Sequence, residues 1–255
     1  MSDVFVVRAP VAPLNADPRA GSEQLSQALA GHVVERVEDR QPWWRVRTRD
    51  GYEGWMHRGY LIELGAGEYA RRYEGARVSL GCVVRDPRGA RRALPLGALV
   101  QRELGVECGD AVEPEAMPAR FPRAPAAAAA TARERFEGTS YEWGGITPWG
   151  ADCSGLVQSV FGLHGIALPR DARDQAERGT PVADGRGLAA LDAGDLAFFS
   201  DRDDGGITHV AVVLGAMTLV HLAIGRGGYA IERLDTPDEY ARLLMARYRR
   251  ARRVE

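Results

Sequence analysis

The 255-residue chain contains no lysine: all 33 of its basic residues are arginine, set among 35 acidic ones for a formal net charge of -2. Interspersed, nearly balanced charge excludes the basic field that holds nucleic acid, and no acidic tail points to a cationic partner. The missing lysine reads as coding bias. No run of about 18 apolar residues is present, which excludes a membrane-spanning helix. The amino terminus, Met1-Ser2-Asp3-Val4-Phe5, lacks the basic start and apolar stretch of a secretory signal, so a cytoplasmic location is expected. Cysteine is scarce. Cys82, Cys108 and Cys153 are too few for a disulfide framework, and a reducing compartment would keep them as thiols. The spacings C-x-x-C and H-x-x-x-H are missing, which argues against zinc held by Cys153, His209 and His221. Gly225-Arg226-Gly227-Gly228 lacks the Lys and following helix of a phosphate loop and reads as a turn. No cofactor is expected.

What is present is an ordinary globular composition, 45% hydrophobic and 27% charged, in a chain long for one domain. The clearest boundary is the run carrying Pro114, Pro118, Pro122 and Pro125, whose density argues against a regular helix or central strand. It is a linker at 114–125 before a domain at 126–255, and Gly65-Ala66-Gly67 divides the first half into 1–64 and 65–113. The first half looks all-β. Val33-Val34-Glu35-Arg36-Val37, Trp43-Trp44-Arg45-Val46-Arg47-Thr48 and Gly54-Trp55-Met56 are short β-prone runs, and Asp50-Gly51 between the last two is a hairpin turn signal. Strands are also expected at 78–85 and 98–100. Such spacing suits small barrels. The second half is mixed: helices over 126–136, 153–163 and 238–249, with strands at 195–199, 208–214 and 218–223. Helix first and antiparallel strands after is an α+β pattern.

One thiol stands apart. Cys153 lies where Gly144-Gly145-Ile146-Thr147-Pro148-Trp149-Gly150 gives way to a helical pattern, behind Asp152, a good N-cap residue. A helix amino terminus lowers a thiol's pKa and so makes a nucleophile. Cys82 and Cys108, in strand-like or turn contexts, read as inert. A nucleophilic Cys needs a base. Of His32, His57, His164, His209 and His221, the last two lie in strand-like runs joined at Gly215-Ala216-Met217. Their separation of 12 with an odd-length loop puts both on one hairpin face. His209 then activates Cys153 and His221 orients His209. Taken singly, each histidine would more often be a satisfied core or surface residue.

These residues resemble the NlpC/P60 peptidases. The blocks are Tyr141-Glu142-Trp143-Gly144-Gly145, Asp152-Cys153-Ser154-Gly155-Leu156, Leu168-Pro169-Arg170-Asp171 with Gln175, Gly194-Asp195-Leu196-Ala197-Phe198-Phe199, and His209-Val210-Ala211 with His221. They occur in the family's order. The resemblance implies a papain-like fold, a nucleophile helix on an antiparallel sheet, with a Cys153-His209-His221 triad. It also puts Tyr141 beside the nucleophile in support of the oxyanion, and Trp143 and Asp171 at the substrate. The amino-terminal half is similar to bacterial SH3 domains, carried by His32-Val33-Val34, Trp43-Trp44-Arg45-Val46 and Asp50-Gly51-Tyr52-Glu53-Gly54-Trp55. A subgroup of these peptidases has two such domains before the catalytic one.

Membership of that subgroup implies a γ-D-glutamyl-L-diamino acid endopeptidase acting on cell-wall (murein) peptides with a free N-terminal L-Ala. The amine would be recognised by Glu23, by a tyrosine, Tyr52 or Tyr60, and by Asp152 and Ser154. Many relatives have Ser where this chain has Ala172, which removes one hydroxyl from the amine pocket. A preference for free amines points to released peptides and so to recycling. Two other readings compete: an amidase or acyltransferase on the same thiol fold, and a non-catalytic SH3-type cell-wall binding protein. The sequence assigns no oligomeric state.

Overall fold

Short β-branched and aromatic runs become strands throughout the first half of the chain. In the computed structural model, which describes residues 3–182 and 187–255, the chain divides into two units, residues 1–117 and 118–255. The first unit opens with β1 (Asp3–Val7), β2 (Val11–Asn15), β3 (Gln24–Leu29), β4 (Val33–Arg40), β5 (Trp43–Thr48), β6 (Glu53–His57) and β7 (Leu61–Gly65). They form one sheet in the order β3-β2-β6-β5-β4-β1-β7 around Val7, Leu14, Val34, Trp44, Val46 and Met56. The expected Asp50-Gly51 turn joins β5 to β6, with Gly51 at φ +85° and its N–H donating to the Thr48 carbonyl. A helix that the sequence reading passed over, α1 (Ala66–Tyr73), leads into β8 (Arg77–Arg85), β9 (Arg91–Val100) and β10 (Gly105–Val112), a three-stranded sheet ordered β10-β8-β9.

The proline-rich run is not devoid of helix. It holds a 3-10 turn at Pro114–Ala116 and the short α2 (Met117–Arg120), and α3 (Pro125–Arg135) begins on a proline. Proline excludes a helix interior, but at the first turn its fixed φ fits and its missing N–H is not needed. Density alone therefore misjudged the segment.

In the second unit a small hairpin, β11 (Ile146–Thr147) and β12 (Gly150–Ala151), precedes α4 (Cys153–Leu163). Leu156, Val157, Val160 and Phe161 are wholly buried along one side of α4, each stabilising by roughly 1.5–3 kcal/mol. Gly165 ends the helix at φ +71°, and the Ile166 N–H donates to the Phe161 carbonyl. After α5 (Ala172–Gln175) come β13 (Thr180–Pro181), β14 (Leu196–Phe199), β15 (His209–Gly215), β16 (Thr218–Ala223), β17 (Gly228–Arg233), α6 (Glu239–Arg247) and β18 (Tyr248–Arg253). The sheet is antiparallel in the order β13-β18-β14-β15-β16-β17, and α4 packs on β15 and β16.

The helix expected over 238–249 stops at Arg247, and its last residues join β18 instead. Arginine-rich sequence favours helix locally, but here tertiary pairing wins. Arg250 pairs with Glu177 at 2.8 Å, and Arg253 reaches Asp192 and Asp195 at 2.7 Å each.

Candidate active site

The site begins at the start of α4. Asp152 is extended, at φ -100° and ψ 180°, and its Oδ1 accepts the Gly155 N–H at 2.7 Å, capping the helix. Its Oδ1 also accepts from the Ser154 hydroxyl at 3.2 Å and from Arg170 Nη1 at 3.0 Å. Oδ2 accepts from the Gly144 N–H at 2.9 Å and from Arg170 Nη2 at 2.6 Å. The Arg170 side chain, 1% exposed, also donates to Ser154 Oγ at 2.8 Å. Charge and lone pairs of Asp152 are thus taken up inside the protein, and Ser154 is tied into the same network. The Asp152–Arg170 pair locks the nucleophile's helix to the loop at Gly144, a structural role beyond the amine contact expected of Asp152 and Ser154. Gln175 continues the network, donating to the carbonyls of Ser154 and Pro169 at 3.0 and 2.8 Å.

Cys153 is buried, and burial, with the nearby Asp152 carboxylate second, pushes its thiol up to about 12. Backbone N–H groups of Val210 and Ser154 and the charge of Arg170 act in the opposite direction. Desolvation thus outweighs the helix terminus, opposite in direction to the depressed thiol expected from the sequence. The Val210 contact brings the residue after His209 to the sulfur. Tyr141 is half-buried on a bridge to Ala151, and its N–H donates to the Gly227 carbonyl at 3.1 Å. Burial, with the charges of Cys153 and Asp152, raises its phenol, which stays protonated as a hydrogen-bond donor.

His209 opens β15 and His221 lies in β16; His209 Nε2 and His221 Nδ1 are 2.8 Å apart. Both histidines share one face, as the sequence predicts, but by another route. The turn is the two-residue Ala216-Met217, both left-handed at φ 45° and 58°, which alone would set the histidines on opposite faces. Pairing shifts from Val213↔Leu219 to Gly215↔Thr218, so Leu214 is an extra residue, and this bulge restores the parity. Burial, with His221 second, pushes His209 well below its ordinary range, so it rests as a neutral imidazole. His221 is 1% exposed. Its Nε2 has no hydrogen bond among the described residues, and Glu232 Oε1 lies 3.6 Å away.

Of the other expected residues, Trp143 is 57% exposed beside the β11–β12 hairpin, and Asp171 precedes α5, its carbonyl accepting from the Asp174 and Gln175 N–H groups. Glu23, Tyr52 and Tyr60 belong to the first unit. Glu23 is exposed just before β3, while both tyrosines pack on that unit's core. Sequence reasoning missed Arg170 as a buried partner, and Glu232 with Arg226 behind the histidines. Arg170 stood inside a quoted block; Glu232 carried no signal, because only strand pairing brings β17 beside His221.

Residues 138–248 match the NlpC/P60 family, and residues 11–62 match the bacterial SH3 domain. A gamma-D-glutamyl-L-lysine dipeptidyl-peptidase of Bacillus subtilis is 42% identical over 87 residues, covering 34% of this chain and 28% of that one. The enzyme of the same name from Bacillus cereus is 36% identical over 110 residues, 42% of this chain and 32% of the other. The chain thus aligns with less than a third of the length of either relative. An NlpC/P60 family protein from Bacillus cereus shares the fold at a TM-score of 0.76 and 20% identity, over 99% of both chains. Thiol, paired histidines and buried cap sit on that fold within the matched segment: the second unit is an NlpC/P60 domain, and it follows a bacterial SH3 domain.

Proposed function

We propose that the protein is a cysteine peptidase that hydrolyses the bond between γ-D-glutamate and a diamino acid, diaminopimelate or lysine, in cell-wall peptides with a free N-terminal L-Ala. The observation that carries this reading is the arrangement of Cys153 at the start of α4, hydrogen-bonded to the residue after His209, with His209 held by His221. The names of the two Bacillus relatives support the choice of bond.

The chemistry starts from neutral partners. His209 accepts the Cys153 proton as the sulfur attacks the γ-carbonyl carbon, so no free thiolate is required beforehand. The first N–H groups of α4 have no partner within the helix, and together with the Tyr141 hydroxyl they can stabilise the oxyanion. His209 then gives its proton to the departing amine, leaving a thioester at Cys153. Water, deprotonated by His209, hydrolyses it.

Recognition of the free amine is proposed for Asp152 and Ser154, which lie beside Cys153 in the second unit. Peptides already released from the wall carry that amine, which fits a recycling role. The test is cleavage of L-Ala-γ-D-Glu-diaminopimelate against its N-acetylated form. The wild type should release L-Ala-D-Glu and prefer the free amine at least tenfold. Equal rates on both peptides by the wild type would remove the amine assignment.

A further inference from the structure

We propose that Glu232 is a positioning residue of the site: it fixes the tautomer of His221, and through it that of His209, so that Nδ1 of His209 is the proton acceptor. The inference rests on the peptidase reading for its catalytic consequence, but not for its geometry.

The three residues follow a diagonal across β15, β16 and β17. The Val212↔Val220 register places Ala211 opposite His221 on one side, and Ala230 is its partner on the other, so small neighbours leave room for the imidazole. Glu232 pairs with Leu219, two residues from His221 and on the same face. The His221 side chain is fully buried and that of Glu232 is 7% exposed.

A neutral imidazole has one donor and one acceptor nitrogen. The 2.8 Å contact between His209 Nε2 and His221 Nδ1 therefore allows two arrangements. If His221 Nδ1 carries the proton, its Nε2 presents a bare lone pair to a carboxylate oxygen 3.6 Å away, acceptor against anion in a buried place. If Nε2 carries it, the N–H points at the anion, Nδ1 accepts from His209 Nε2–H, and Nδ1 of His209 is left as the base. The second arrangement is the favourable one, and the same carboxylate then offsets the charge that appears on His209 during the reaction.

Glu232 is kept anionic for this task. Burial would raise its carboxyl, but nearby His221 and the hydrogen bonds from Arg226 outweigh that and hold it at about 2. The Arg226 contacts are the short ones, Nε to Oε1 at 2.6 Å and Nη2 to Oε2 at 3.0 Å. Arg226 is itself fixed by Asp238 at 2.9 Å and by the Tyr240 ring, 4.5 Å below its guanidinium. Tyr240 also lies against His221, with ring centroids 6.0 Å apart, and Arg247 is the other charge acting on His209.

Tautomers are read directly from two-bond proton–nitrogen correlations of the full chain labelled with 15N-histidine, which has five histidines to resolve. The wild type should show His209 and His221 both protonated at Nε2. Glu232→Gln should shift or mix both patterns while leaving His32, His57 and His164 unchanged, and Glu232→Asp, which keeps the charge, should retain the wild-type pattern. On L-Ala-γ-D-Glu-diaminopimelate, Glu232→Gln should lower kcat roughly 10- to 100-fold at constant KM. Finding His221 protonated at Nδ1 in the wild type, or unchanged tautomers in Glu232→Gln, would overturn the proposal. A wild type with the predicted tautomers but no turnover would instead remove the peptidase reading and leave the positioning role standing.

Discussion

At the scale of single residues the site pairs a buried thiol with a partly buried imidazole. Cys153 is raised by desolvation and His209 is lowered by it, so at neutral pH thiol and imidazole coexist without ionising each other. Labelling with iodoacetamide at mildly acidic pH should therefore reach exposed Cys108 first, with Cys153 modified slowly and faster only as pH rises toward 9 and above. Peptide mass spectrometry after timed quenching reads the order. Rapid labelling of Cys153 at pH 6 would mean that it rests as a thiolate–imidazolium pair.

At the scale of elements, the nucleophile's helix is placed by what its first turn leaves out. Gly155 lets α4 approach the loop so closely that a Cβ there would overlap the Gly145 carbonyl oxygen. Gly155→Ala must push the start of α4 outward and move Cys153 with it. A displacement of about 1 Å can cost on the order of 100-fold in rate, so kcat/KM should fall by that much while circular dichroism stays native. Unchanged kcat/KM would show that the close approach is dispensable. This region was largely legible beforehand. Residues 153–163 form α4 and 218–223 form β16 with the expected bounds, because caps and apolar spacing are local signals. What escaped depended on partners distant in sequence. The Leu214 bulge is set by pairing, β18 by acids on other elements, and the Arg170–Asp152 lock by a loop 18 residues away. Glu232 was hidden for the same reason.

At the scale of the whole molecule, the buried chemistry shapes stability against pH. His209 has a folded pKa below its usual 6.5, so unfolding takes up a proton as pH falls below that value and stability is lost there. Glu232, held near 2 against 4.5, adds a second loss at lower pH. Cys153 works at the other end: the unfolded thiol ionises from about pH 8.5 while the folded one does not, so stability declines as pH rises further. Urea midpoints of the full chain should be highest between about pH 6.5 and 8.5. Cys153→Ser should flatten the alkaline decline; an unaltered decline would deny the buried thiol that part. The central claim is that Cys153 carries the acyl group, and it is tested most directly by trapping that group. Mixing the protein with L-Ala-γ-D-Glu-diaminopimelate and quenching in acid within one turnover should give a mass increase equal to an L-Ala-D-Glu acyl group on the peptide containing Cys153. Cys153→Ala should give neither adduct nor product. Release of L-Ala-D-Glu by Cys153→Ala, or an adduct on any other residue, would contradict the account.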